Sequence, residues 1–297
     1  MNNKIFITGA GGFVGQNIIS GLNHLYFFIK YNRTNICTNE YTVIHLAGKA
    51  HDLKNIFNNQ EYYNINTTFT IQMFDSFLLS DAKVFISLSS VKAVTDELDG
   101  ELTEEFIPNP VTDYGKSKLL SENYIINKIL PIGKRVYILR PCMIHGRGNK
   151  GNLNLLYKIV NNGFPWPLGA FENRRSFCSI ENLCFIINEL IKNDQIPSGI
   201  YNVADDEPIS TNQLINLIAE SQGRNINILN IPKFIIKFFS ILGDLFRLPL
   251  NTERLTKLTA SYVVSNNKIK KAINKPLPLT TKDGLLKSLN SFSKNAH

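Results

Sequence analysis

Cysteine is scarce in this chain. Its 297 residues contain Cys37, Cys142, Cys178 and Cys184, none in a CxxC pair, and five histidines without metal-ligand spacing. This excludes a disulfide scaffold and a zinc site, and reads the thiols as reduced packing groups of a cytoplasmic protein. The N-terminus lacks the charged-then-apolar pattern of an export signal, so export is not expected. Long apolar runs are missing as well. The most apolar stretch, 228–250, is interrupted by Lys233, Lys237, Asp244 and Arg247 and bracketed by Pro232 and Pro249. A spanning helix needs about 18 apolar residues or more, so no membrane span is expected. A helix packed on the rest of the molecule is the reading, with one lying on a membrane surface as the alternative. The net charge is +8, yet no dense basic block with interleaved aromatics occurs, so nucleic acid is not an expected partner. Internal repeats and low-complexity tracts are also absent.

What is present begins at the N-terminus. The apolar run Ile5-Phe6-Ile7 leads into Thr8-Gly9-Ala10-Gly11-Gly12-Phe13-Val14-Gly15. A strand that enters a glycine turn and then a helix can hold a pyrophosphate on backbone N–H groups and the helix N-terminus. Gly9 permits the tight turn, Gly12 the close approach of phosphate, and Gly15 the packing of helix on strand. Strand-like runs recur at 4–8, 25–30, 42–46, 83–89, 135–139 and 199–203, with helical stretches in most gaps. Such alternation predicts an α/β fold, a doubly wound parallel sheet of Rossmann type.

Two further features carry chemistry. Tyr114 and Lys118 lie four apart in YGKSK, which places them on one face of a helix. An ammonium beside a phenol lowers its pKa toward the working pH of a general acid/base. The strand 83–89 runs into serines, of which Ser90, or Ser89 if the register slips by one, could bond a substrate oxygen. A chance pair on a surface helix is the plain alternative. The segment 31–41 is short for a connection between parallel strands, which needs about a dozen residues or more. One βα unit is therefore expected to be truncated, leaving an adenine pocket open on one side. No acid occurs between Lys30 and Glu40 to bond a ribose 2′-OH, whereas Arg33 could accommodate a 2′-phosphate. This favours NADP over NAD, with a solvated Arg33 as the alternative.

Taken together, TGAGGFVG at 8–15, HLAG at 45–48, Asn66-Thr67 as a helix start, LSS at 88–90, YGKSK and RPCMIHGRG at 140–148 resemble the extended short-chain dehydrogenase/reductase family, of epimerase/dehydratase type. Stretches 89–97, 140–152 and 163–177 are similar to bacterial enzymes acting at C4 of UDP-N-acetylhexosamines, both 4-epimerases and reductases of 4-keto-6-deoxy sugars, which feed polysaccharide or O-antigen synthesis. The resemblance implies Tyr114 as acid/base, Lys118 as ribose ligand and Ser90 as partner of the reacting oxygen. It places a dinucleotide, NADP or NAD, on Gly9, Gly12, Phe13, Val14, Gly15, Arg33, Leu46, Ala47, Gly48, Lys118 and Pro141. It places a UDP-sugar near Lys92, Met143, Asn152, Leu153, Arg175 and Arg254, with Arg175 on the diphosphate. Arg254 is the weaker phosphate candidate because the usual C-terminal arginine motif is not evident. It divides the chain into a dinucleotide-binding domain, 1–148 with a return segment at about 176–205, and a mostly helical substrate-binding cap, 149–175 and 206–297. It also implies a homodimer through a four-helix interface. Two phosphates on the substrate would account for surplus cations, as would scattered solvated lysines. A non-catalytic dinucleotide sensor is the remaining alternative, though Tyr114, Lys118 and the serine are all retained.

Overall fold

A computed structural model of the chain describes residues 3–32, 41–49, 59–149, 152–246 and 251–293. From the N-terminus, β1 (Lys4–Thr8) leads into α1 (Phe13–Leu22), and β2 (Phe27–Lys30) and β3 (Thr42–His45) follow. A long helical stretch comes next: α2 (Asn59–Tyr62), a π-helical turn over Tyr63–Thr68, and α3 (Phe69–Leu79). Then come β4 (Val84–Leu88), β5 (Glu101–Leu102), α4 (Asp113–Ile126), β6 (Arg135–Pro141) and β7 (Met143–His145). The remainder is α5 (Asn152–Asn161), β8 (Phe177–Ser179), α6 (Ile180–Lys192), β9 (Gly199–Val203), α7 (Thr211–Ser221), α8 (Lys233–Phe246), α9 (Thr252–Thr259), β10 (Val263–Val264), α10 (Asn267–Ile273) and α11 (Thr281–Ser293).

Six strands form one parallel sheet in the order β2-β1-β3-β4-β6-β9. Alternate side chains of each strand leave by opposite faces, and both faces are covered. Ile5 and Ile7, Val84 and Ile86, and Tyr137 and Leu139 join α1 and α6 in one core, with Ile18, Leu183 and Ile187. Phe6, Phe85, Val136 and Ile138 join α3 in another, with Phe74 and Phe77. Two-sided burial explains why these strands read as unbroken apolar runs. A third core, around Leu156, Trp166, Phe177, Leu214, Ile218, Leu285 and Leu289, packs α5, α7 and α11 together.

The predicted strands form at the predicted places, and the fold is the expected doubly wound sheet. Among the described residues β2 is the edge strand, with Phe27 67% exposed. Strands β2 and β3 flank β1 on opposite sides, so the chain reverses its winding at β1. In open α/β sheets, ligands bind beyond the strand C-termini at such a switch point. One expectation is corrected. Asn66-Thr67 does not start a helix but lies inside the π-helical turn.

Gly15 shows how tightly β1 and α1 are joined. A Cβ there would lie 2.3 Å from the Gly9 carbonyl oxygen and 2.8 Å from Ala10 Cα. Both are backbone atoms that no rotamer change can move away. Gly15→Ala is therefore expected to lower stability by about 1–3 kcal/mol, in the range of overpacking, as read from a urea midpoint.

Candidate active site

A cleft of about 390 Å³ opens at the switch point. The glycine turn and the start of α1 form one wall through Gly9, Gly12, Phe13, Val14 and Gly15. Gly9 holds φ +69°, and a Cβ there would come within 2.7 Å of the Ala47 nitrogen and the Leu46 carbonyl carbon. The N-cap of α1 is Gly12, and no side chain caps the helix. An uncapped helix N-terminus beside bare glycine backbone suits a phosphate.

The β3 end supplies the opposite wall with Leu46 and Gly48. Ala47 anchors that turn rather than lining the cleft: its N–H donates to Thr8 Oγ1 at 3.1 Å. Behind it, His45 bridges Thr8 and Thr70 at 2.9 Å on each ring nitrogen. Burial, with Lys118 nearby, pushes its pKa down to about 3, so the ring stays neutral. Asn66, directed inward by the π-helical turn, accepts the Lys49 N–H at 2.7 Å and donates to Ser117 Oγ at 3.1 Å. The i→i+4 hydrogen bonding of an α-helix gives way here to i→i+5, with the Phe69 N–H donating to the Asn64 carbonyl, and the widened turn joins the end of β3 to α4 through Asn66.

Tyr114, Lys118, Ser89, Ser90 and Pro141 complete the floor. Helix α4 is capped by Thr112, whose hydroxyl accepts the Gly115 N–H at 3.2 Å. The Asp96 carboxylate accepts the Val111 and Thr112 N–H groups at 2.8 and 3.0 Å, fastening α4 to the loop after β4. Gly115 permits close approach, since a Cβ would lie 2.3 Å from the Lys92 carbonyl oxygen. These contacts bring Tyr114 against Ser90, and their side chains are hydrogen-bonded. Ser89 is committed elsewhere, donating to Glu122 Oε1, so Ser90 is the serine that faces Tyr114.

The tyrosine's electrostatics differ from expectation. Burial raises the Tyr114 pKa, Tyr62 and Glu122 raise it further, and only the Ser90 hydrogen bond opposes them. Lys118 Nζ donates to the Leu88 carbonyl at 2.9 Å, and burial lowers its own pKa to about 8. In this state the phenol is neutral and available as a proton donor.

Lys118 also gives a test in pH. Its folded value of about 8 lies below the unfolded value of about 10.4, so between them the unfolded chain binds more protons and stability rises with pH. Below pH 8 the buried ammonium opposes folding. Lys118→Met is expected to be more stable than the wild type at pH 7, with the gap closing as pH rises from about 8 to 10. Melting temperatures across that range check it; a less stable variant at pH 7 would contradict it.

Lys92, Met143, Leu153, Arg175 and Arg254 are not among the residues that line this cleft, although Met143 lies between two that do, Cys142 and Ile144. Arg175 is half-buried on an extended segment bridged to both Ile209 and Tyr262, and its Nη1 donates to the Lys257 carbonyl. It is electrostatically coupled to Cys142, which lines the cleft, and to Lys92. Lys92 Nζ donates to the Asp96 carbonyl at 2.7 Å and sits 4.2 Å from the centre of the Tyr262 ring. Met143 starts β7 and packs against the third core. Leu153 is 1% exposed within that core, which leaves backbone rather than side chain for a ligand. Arg254 is exposed in the first turn of α9. Asn152 begins α5, and its side chain, like Arg33 and Cys37, lies outside the described residues. Sequence reasoning missed Lys49, Cys142 and Ile144, which also line the cleft. The signal for Lys49 was its position directly after HLAG.

Comparison with known proteins follows the same lines. The profile of the NAD dependent epimerase/dehydratase family matches residues 32–204. The UDP-glucose 4-epimerase of Vibrio cholerae is 26% identical over 326 residues, covering 98% of this chain and 96% of that protein. The N-acetyl-alpha-D-glucosaminyl-diphospho-ditrans,octacis-undecaprenol 4-epimerase of Escherichia coli O157:H7 is 25% identical, covering 91% and 86%. The solved UDP-N-acetylglucosamine 4-epimerase of Bacillus cereus has a TM-score of 0.76 at 18% identity, covering 98% of this chain and 99% of that one. With a family match across most of the sheet and a cleft at its switch point, the chain belongs to the NAD dependent epimerase/dehydratase family.

Proposed function

We propose that this protein is a nucleotide-sugar oxidoreductase that reduces the C4 ketone of a UDP-4-keto-6-deoxy-N-acetylhexosamine, using NADPH or NADH. The observation that carries the reading is the Tyr114 hydroxyl, bonded to Ser90 on the cleft floor with Lys118 on the same helix face. The glycine walls fit a dinucleotide: at Gly9 and Gly15 a side chain would strike backbone, and at Gly48 a Cβ would lie 2.9 Å from Lys118 Nζ. Gly9, Gly12, Phe13, Val14, Gly15, Leu46, Gly48 and Pro141 would hold it, and Ala47 would fix the turn. When bound, the nicotinamide supplies the hydride.

Tyr114 then donates its proton to the sugar O4, while Ser90 steadies that oxygen by hydrogen bonding. Lys118, whose Nζ donates to the Leu88 carbonyl, can also bond ribose hydroxyls and support the phenolate left behind. Arg175 and Lys92, coupled to each other across the cap side, suit a diphosphate and a polar sugar substituent. The segments 149–175 and 206–297 would form the substrate-binding cap. A neutral phenol suits the reducing direction, and an edge strand at β2 suits a cofactor exchanged each turnover. Leu120 and Ile126 on α4, 48% and 51% exposed, support a homodimer.

A second reading is a UDP-sugar 4-epimerase, favoured by the two relatives above, each a 4-epimerase matched over most of its length. There Tyr114 would first accept the proton of the C4 hydroxyl and later return it to the opposite epimer. The readings part on cofactor retention. Mass spectrometry of nucleotide released by denaturing the purified protein is expected to find little NAD; near-stoichiometric NAD would favour the epimerase.

A further inference from the structure

Helix α8 carries a large apolar surface that the other described elements leave exposed. Ile236, Ser240 and Gly243 are its buried residues, facing the rest of the molecule. Phe234, Phe238, Ile241 and Leu245 follow i, i+4, i+7, i+11 and so share the opposite face. They are 73%, 58%, 63% and 73% exposed, and Phe239 and Phe246 widen the stripe. Surface apolar residues are ordinary when scattered; a contiguous set this large marks an interaction site.

We propose that this face of α8 docks on an anionic lipid bilayer, with the helix lying in the interface. Charge selects that occupant. Lys233 and Lys237 are exposed, four residues apart, along the flank beside the stripe. Asp244, the carboxylate of α8, lies seven residues on from Lys237 and so on the same flank, where it accepts the Thr252 N–H and hydroxyl at the start of α9; the flank keeps two cations to one anion. Anionic headgroups complement both lysines while the phenyl and aliphatic groups enter the acyl boundary. Helix α8 has 14 residues, about 21 Å, too short to cross a hydrocarbon core of about 30 Å. No helix of the described residues is long and apolar enough to span. The geometry is that of a helix lying on the surface.

Co-sedimentation of the full chain with vesicles tests this. Vesicles containing about 30% phosphatidylglycerol are expected to carry the wild type down, and pure phosphatidylcholine vesicles to carry about tenfold less. Phe238→Asp with Leu245→Asp is expected to weaken binding to the anionic vesicles by about tenfold or more. Both positions are exposed, so the melting temperature should stay unchanged and a folding defect can be told apart. Lys233→Glu with Lys237→Glu should weaken binding without touching the apolar stripe. Three results would overturn the proposal: no wild-type binding, equal binding by the double aspartate variant, or a wild-type oligomer that this variant dissociates.

Discussion

Tyr114→Phe is expected to lower kcat by about 10²–10⁴-fold, the usual worth of a positioned general acid. The substitution removes one oxygen and keeps the ring, so its packing against Tyr62, with centroids 6.1 Å apart, persists. Ser90 loses its partner at the phenol but still accepts the Lys92 N–H at 3.2 Å, so the turn after β4 stays in place. On the proposed reading the nucleotide is held by the glycine walls and not by the phenol, so its binding should change little. Steady-state kinetics beside fluorescence titration with NADPH separate the two effects. Loss of nucleotide binding in step with activity would move Tyr114 from proton donor to scaffold.

The largest stability effect is expected at Glu122. This carboxylate is 1% exposed and accepts Arg140 Nε at 3.1 Å on each oxygen, Arg140 Nη2, and the Ser89 hydroxyl. Arg140 is itself 2% exposed. Truncating one member of a buried, hydrogen-bonded ion pair strands the other charge away from water, at about 3–5 kcal/mol. Glu122→Ala should lose that much in urea-induced unfolding at pH 7, and a loss under about 1 kcal/mol would contradict the burial described here. The same change frees Ser89 next to Ser90, so residual folded protein should also lose activity. Replacing both charges, Glu122→Leu with Arg140→Met, should recover much of the stability, because no unpaired charge remains.

How far the sequence could carry these conclusions depended on range. The β1 run and its glycines were legible because each need is local: apolar residues for two-sided burial, and no Cβ where Gly15 meets Gly9. That Tyr114 and Lys118 share one helix and one cleft was legible from helical spacing alone. Their electrostatics were not. Spacing counts the ammonium four residues away, whereas burial by β3, β4 and the π-helical turn sets both pKa values. Ser90 was placed ahead of Ser89 from sequence on register alone; the contact that commits Ser89 elsewhere comes from Glu122, 33 residues on. Asn66 was noticed but misplaced, because a π-helical turn has no simple period to read. The segments after β7 were least legible. Arg175 is held by bridges to Ile209 and Tyr262, which a pattern read along the chain does not join.

The most direct test of the central claim is absorbance at 340 nm with NADPH and a UDP-4-keto-6-deoxy-N-acetylhexosamine. The account expects one NADPH consumed per ketone reduced, and almost none with Tyr114→Phe. Failure to consume NADPH or NADH, alongside interconversion of a UDP-hexose and its C4 epimer without net cofactor change, would contradict the reductase and establish the epimerase.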